Sequence, residues 1–128
     1  MPFSSEAILV VDDDEFQLDL MASQLAHLGF SDVLLASDGQ QALAQFDLHR
    51  TRVKLIISDL SMPDMDGLVM MRHLASRGFA GGMILLSGMH DDILSRAAGL
   101  AQAHGLRILG CLSKPCDPQQ LGQMLRSE

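Results

Sequence analysis

The chain has 128 residues, 48% hydrophobic and 20% charged, with nine Lys plus Arg against sixteen Asp plus Glu and a formal net charge of −7. At about one domain per 150 residues this is a single unit with room for one core, which excludes a disordered chain and a fibrous repeat. The acid excess argues against direct nucleic-acid binding and a polybasic membrane anchor, and the longest apolar run, Ala7 to Val11, is far short of the roughly 20 residues of a bilayer span.

In chain order, the apolar run Ala7 to Val11 opens a predicted strand and leads into Asp12, Asp13, Asp14 and Glu15. A helix follows with Leu18, Met21, Leu25 and Leu28 at helical spacing, and Gly29 is its C-cap candidate. The second strand is Val33 to Ala36. Ser37 or Asp38 caps a helix carrying Leu43 and Phe46. The third apolar run, Val53 to Ile57, ends on Asp59, and its helix carries Leu68, Met71, Leu74 and Ala75. Met83 to Leu86 leads to Ser87-Gly88, then to a fourth helix with Asp91 as cap and Ile93, Leu94, Ala97 and Ala98 on one face. The last strand, Leu106 to Leu112, runs into Lys114-Pro115, and Pro118 opens a helix with Leu121, Met124 and Leu125.

The strands are rich in Val, Ile and Leu and lack polar alternation, as strands covered on both faces do. Five βα units in succession imply right-handed crossovers and an α/β doubly wound, five-stranded parallel sheet, whose ligands bind beyond the carboxyl ends of the strands. With strand order 2-1-3-4-5, Asp59 faces Asp12 and Asp13 across that crevice. Three converging carboxylates call for a hard divalent cation, and Mg²⁺ suits them because it takes few carboxylates and keeps several waters. Asp14 and Glu15 are accounted for by the helix dipole, and Asp66-Gly67 by a turn capping the third helix. A hydroxyl at Ser87 and an ammonium at Lys114, one of only two lysines, complete a set fit to bind a phosphoryl group while a carboxylate attacks it.

Taken together, Ile8-Leu9-Val10-Val11-Asp12-Asp13-Asp14, Asp59-Leu60-Ser61-Met62-Pro63-Asp64-Met65-Asp66-Gly67, Leu86-Ser87-Gly88 and Lys114-Pro115 resemble the receiver domains of two-component response regulators. The resemblance implies the flavodoxin-like (βα)5 fold and a single receiver domain over residues 1–128. It implies Asp59 as phosphoacceptor, charged by a histidine kinase or a histidine phosphotransfer protein. Asp12, Asp13, Asp59 and the Ser61 carbonyl would hold Mg²⁺, with Lys114 and Ser87 meeting the phosphoryl oxygens. Lys114-Pro115 would be a cis-proline turn. The surface of helix four, strand five and helix five would face an output domain or a second copy of the chain. The domain itself would be no enzyme beyond its own phosphorylation and dephosphorylation, any enzymatic output lying in a missing domain removed by truncation.

Two departures stand out. Cys111 occupies the place where receivers carry Tyr or Phe, in a chain without Tyr or Trp, and the stretch from Ser87 to Lys114 spans 27 positions, longer than usual. With Gly105-Leu106-Arg107-Ile108-Leu109-Gly110, that stretch resembles receivers fused to EAL-type cyclic-di-GMP phosphodiesterases. Other readings fit less well. A haloacid-dehalogenase-type phosphatase needs an Asp where Ser61 stands, an EF-hand would have Met62 and His73 at ligand positions, and a nucleotide loop would want glycines where the first loop is acidic. A non-phosphorylated pseudo-receiver acting as a protein-interaction module is the alternative.

The remaining expectations concern single residue types. Cys111 and Cys116 read as small buried hydrophobes. Met70 and Met71 read as able to reach a partner surface, and Met89 and Ser61 as flanking the phosphoryl group. The five histidines, His27, His49, His73, His90 and His104, read as surface or helix-end residues, His90 lying nearest the site. The N-terminus lacks the basic and apolar regions of a secretory signal, so a cytoplasmic location is expected.

Overall fold

The computed structural model describes residues 6–59, 67–87, 99, 103, 105–113 and 117–126. Five strands, β1 (Ala7–Val11), β2 (Val33–Ala36), β3 (Val53–Asp59), β4 (Gly82–Ser87) and β5 (Arg107–Ser113), form one sheet in the order β2-β1-β3-β4-β5, with every pairing parallel. The helices are α1 (Glu15–His27), α2 (Gly39–Leu48), α3 (Gly67–Ser76) and a C-terminal helix (Pro118–Arg126). The fourth predicted helix, with its Asp91 cap, falls outside the described residues, as do His90, His104 and Cys116. No helix among the described residues is long and apolar enough to cross a membrane.

Side chains alternate between the two faces of the sheet, and each face has its own core. Ala7, Leu9 and Val11 join Phe46 of α2 and Met70, Met71 and Leu74 of α3 on one side. Ile8 and Val10 join Leu18, Met21 and Leu25 of α1 and Leu121 of the C-terminal helix on the other. All five residues of β1 are buried, which is why the sequence shows an unbroken apolar run there. Met70 and Met71 are fully buried. They pack α3 onto the sheet, which corrects the expectation that they reach a partner surface.

The helix ends explain the short connections. Asp14 caps α1 by accepting from the Phe16 N–H, and Asp38 caps α2 by accepting from the Gln41 N–H. Gln41 in turn accepts from the Ser37 N–H and hydroxyl, so of the two candidate caps Asp38 holds the position. At the end of α1 the Phe30 N–H donates to the Leu25 carbonyl and the Gly29 N–H to that of Ala26, with Gly29 at φ +100°. This is a Schellman turn, and it needs a left-handed residue. Leu28 closes α1 as its C-cap and is exposed, because the buried stripe of the helix ends one turn earlier at Leu25.

Candidate functional site

The two central strands, β1 and β3, deliver the acids. Val11 is level with Ser58 in the parallel pairing, so Asp12 follows the end of β1 just where Asp59 closes β3. Each of Asp12, Asp13 and Asp59 offers a carboxylate oxygen, and these oxygens lie within 4.8 Å of one another. Asp12 and Asp59 are only 1% and 3% exposed, while Asp13 opens to solvent. The backbone holds the constellation: the Asp12 N–H donates to the Ala36 carbonyl (3.1 Å), the Asp14 N–H to Asp12 Oδ1 (2.9 Å), and Ser58 Oγ to the Asp59 carbonyl (3.0 Å).

Two buried carboxylates beside a third repel one another strongly in a low-dielectric crevice, and a bound cation removes that cost. The donors are all hard oxygens, and one side of the site faces water. This matches a cation that takes one or two carboxylates and retains waters, as Mg²⁺ does. Asp59 lies level with Leu86 of β4, and Ser87 with Ser113 of β5. The strand register therefore brings the end of β4 beside the acids and the end of β5 one strand further. The Ser87 side chain, Ser61, Met89, Asp64, Asp66 and the Lys114-Pro115 pair lie outside the described residues.

Two other expectations meet the structure here. Cys111 is exposed, contrary to its reading as a buried hydrophobe. β5 is an edge strand, and its alternation turns Leu112 into the core while Cys111 takes the other face of the sheet. Even so, partial burial pushes the Cys111 thiol above its ordinary range. His27 and His73 are exposed in the last turns of α1 and α3, and His49 is the C-cap of α2, all helix-end positions as expected. Two residues escaped the sequence reading. Phe16, in the first turn of α1 directly after the acids, is 70% exposed, and Asp117 caps the C-terminal helix by accepting from the Gln119 N–H. The Asp-Pro pair before an amphipathic run was the available signal for Asp117. For Phe16 there was none, since an apolar residue in a first turn is more often buried.

Comparison with known proteins places this geometry in a family. The chain is 33% identical over 119 residues to the cyclic di-GMP phosphodiesterase RocR of Pseudomonas aeruginosa, covering 92% of this chain and 30% of that protein. It is 34% identical over 117 residues to the transcriptional regulatory protein AruR of the same species, covering 89% of this chain and 45% of that protein. The chain thus spans less than half the length of either relative. A response regulator from Colwellia psychrerythraea superposes with a TM-score of 0.79 at 31% identity, covering 96% of this chain and 95% of that one. The family model of the response regulator receiver domain matches residues 8–126, from β1 to the last helix, and with the 2-1-3-4-5 sheet and the acids at its carboxyl edge it shows that the chain belongs to the receiver domains of two-component response regulators.

Proposed function

We propose that Asp59 receives a phosphoryl group from a phosphohistidine of a histidine kinase or a histidine phosphotransfer protein. The observation that carries this reading is the buried pair Asp12 and Asp59, with Asp13 completing a set of oxygens within 4.8 Å at the carboxyl edge of the sheet. An Asp59 carboxylate oxygen attacks phosphorus, the P–N bond to the donor imidazole breaks, and the imidazole leaves with the bonding pair. Asp59 then carries an acyl phosphate. Asp12, Asp13, Asp59 and the Ser61 carbonyl would hold Mg²⁺, which supplies charge neutralisation for the phosphoryl oxygens. Lys114 adds a second positive charge and the Ser87 hydroxyl a hydrogen-bond donor.

The same reading makes residues 1–128 one cytoplasmic receiver domain that does no chemistry beyond gaining and losing its own phosphoryl group. Its signal would pass through the face of the fourth helix, β5 and the C-terminal helix to an output domain or a second copy. The likeness to RocR makes a cyclic-di-GMP phosphodiesterase a candidate output. With Cys111 in place of the usual aromatic, that relay runs without a swinging ring.

Incubation with acetyl phosphate and Mg²⁺ followed by intact-protein mass spectrometry tests the proposal. Wild type gains one phosphoryl group and Asp59→Asn gains none. A wild type that binds Mg²⁺ but never gains phosphate would instead identify a non-phosphorylated protein-interaction module.

A further inference from the structure

At the opposite, amino-terminal edge of the sheet lies a cavity of about 430 Å³. Its walls come from the residue before β1 (Glu6), the start of β3 (Lys54), the residues between α3 and β4, the start of β5 (Arg107) and the segment after α2 (Arg50). Four of the chain's nine basic residues, Arg50, Lys54, Arg77 and Arg107, line it; the carboxylates set against them are Glu6 in the lining and Asp47 behind Arg50 and Arg77. On a protein with a net charge of −7, random surface placement would give the opposite sign.

Helix dipoles account for part of this cluster only. Arg50 and Arg77 stand at the C-terminal ends of α2 and α3, where cations complement carbonyls. Arg50 Nη1 donates to the Arg77 carbonyl (3.0 Å), and Arg77 Nη1 to that of His73 (3.3 Å). Both guanidiniums also bond Asp47 Oδ1, Arg77 Nε at 2.9 Å and Arg50 Nη2 at 3.1 Å. Those bonds hold the Asp47 carboxyl below its usual range. Arg50 further lies 5.5 Å from the ring centre of Phe46. Two guanidiniums are therefore fixed in place before any ligand arrives, which lowers the ordering cost of binding. Lys54 and Arg107 stand on strands, exposed, where no helix end calls for them. Buried Phe79 and Val53 form the apolar floor. A volume of this order matches a small organic ligand, and fixed guanidiniums with an added ammonium match multiply charged oxyanions.

We propose that this amino-terminal pocket is a binding site for a small multivalent oxyanion, a phosphate ester or a polycarboxylate. It stands independently of phosphorylation at Asp59, since it shares no residue with the acidic crevice. Pyrophosphate, ADP and citrate, titrated into the ¹⁵N-labelled chain at constant ionic strength without divalent metal, are expected to shift the amides of Lys54, Gly81 and Arg107 saturably. Stronger binding of ADP than of citrate identifies a phosphate ester as the natural class, with pyrophosphate reporting the phosphate contacts alone, and stronger binding of citrate identifies a polycarboxylate. The Lys54→Ala/Arg107→Ala double variant, shown to be folded by its amide spectrum, is expected to bind about tenfold or more weakly and to keep its phosphate uptake from acetyl phosphate. Shifts that merely follow added NaCl, shifts confined to the acidic crevice, or undiminished binding by the folded double variant would overturn the proposal.

Discussion

Asp59 and Cys111 mark the two extremes of what a single position discloses. Asp59 was legible because a carboxylate closing the run Leu55-Ile56-Ile57 is costly there without a partner, and the structure indeed buries it beside Asp12 and Asp13. Cys111 was not legible, because on β5, an edge strand, Leu112 is buried while Cys111 is exposed, a difference set by what packs over each face and not by local sequence. Its chemistry follows from the structure. The thiol is reachable, yet burial of part of its surroundings disfavours the thiolate and raises its pKa. A raised pKa leaves less thiolate at any given pH, and the thiolate is the nucleophile. Iodoacetamide at pH 8 should therefore alkylate Cys111 more slowly than free cysteine, as followed by mass spectrometry on a Cys116→Ser background. A rate equal to that of free cysteine would contradict this environment.

At the scale of elements, the strands were the most readable part, since β1 and β2 coincide with the apolar runs Ala7 to Val11 and Val33 to Ala36. β3 runs on through Ser58 to Asp59 because parallel pairing with β4 continues to Asp59 and Leu86, and pairing leaves no trace in hydropathy. The end of α3 repeats that of α1. Gly78 stands at φ +79°, and the Phe79 N–H reaches back to the Leu74 carbonyl, which sets Phe79 edge-on to Phe46 at 5.6 Å. The signal, Gly followed by Phe, was the same as in Gly29-Phe30 and was legible in principle. Close backbone approach was not. A Cβ on Gly81 would sit 2.3 Å from the Lys54 carbonyl oxygen, whereas one on Gly110 would meet the flexible tip of Met124, its nearest atom at 2.6 Å. Backbone in the middle of a sheet cannot give way as a thioether can. Gly81→Ala should cost about 1–3 kcal/mol and Gly110→Ala less than about 1 kcal/mol in urea unfolding. Equal costs would mean that β3 yields as easily as the Met124 side chain.

Among the described residues, Asp12, Asp13 and Asp59 gather at the carboxyl edge of the sheet, and Arg50, Lys54, Arg77 and Arg107 at the amino edge. The acidic end was readable from Asp12, Asp13 and Asp59 once the strand order was assumed. The basic end was not, because Arg50, Lys54, Arg77 and Arg107 meet only when two helix ends and two strand starts converge. This separation bears on stability. Three carboxylates within 4.8 Å oppose folding when no cation is present, and a cation that binds only the folded chain adds RT ln(1 + [L]/Kd), about 2.7 kcal/mol at a hundredfold excess over Kd. For a domain of this size that corresponds to a rise in Tm of roughly 10 °C. Asp13→Ala removes an exposed carboxylate that is no part of the core, so the metal-free variant should melt no lower than wild type and its response to Mg²⁺ should be largely lost. The two effects have opposite consequences, and calorimetry with and without Mg²⁺ separates them. A variant that melts lower without metal would show that the Asp13 carboxylate does not oppose folding, and one that keeps the full Mg²⁺ response would remove Asp13 from the cation site.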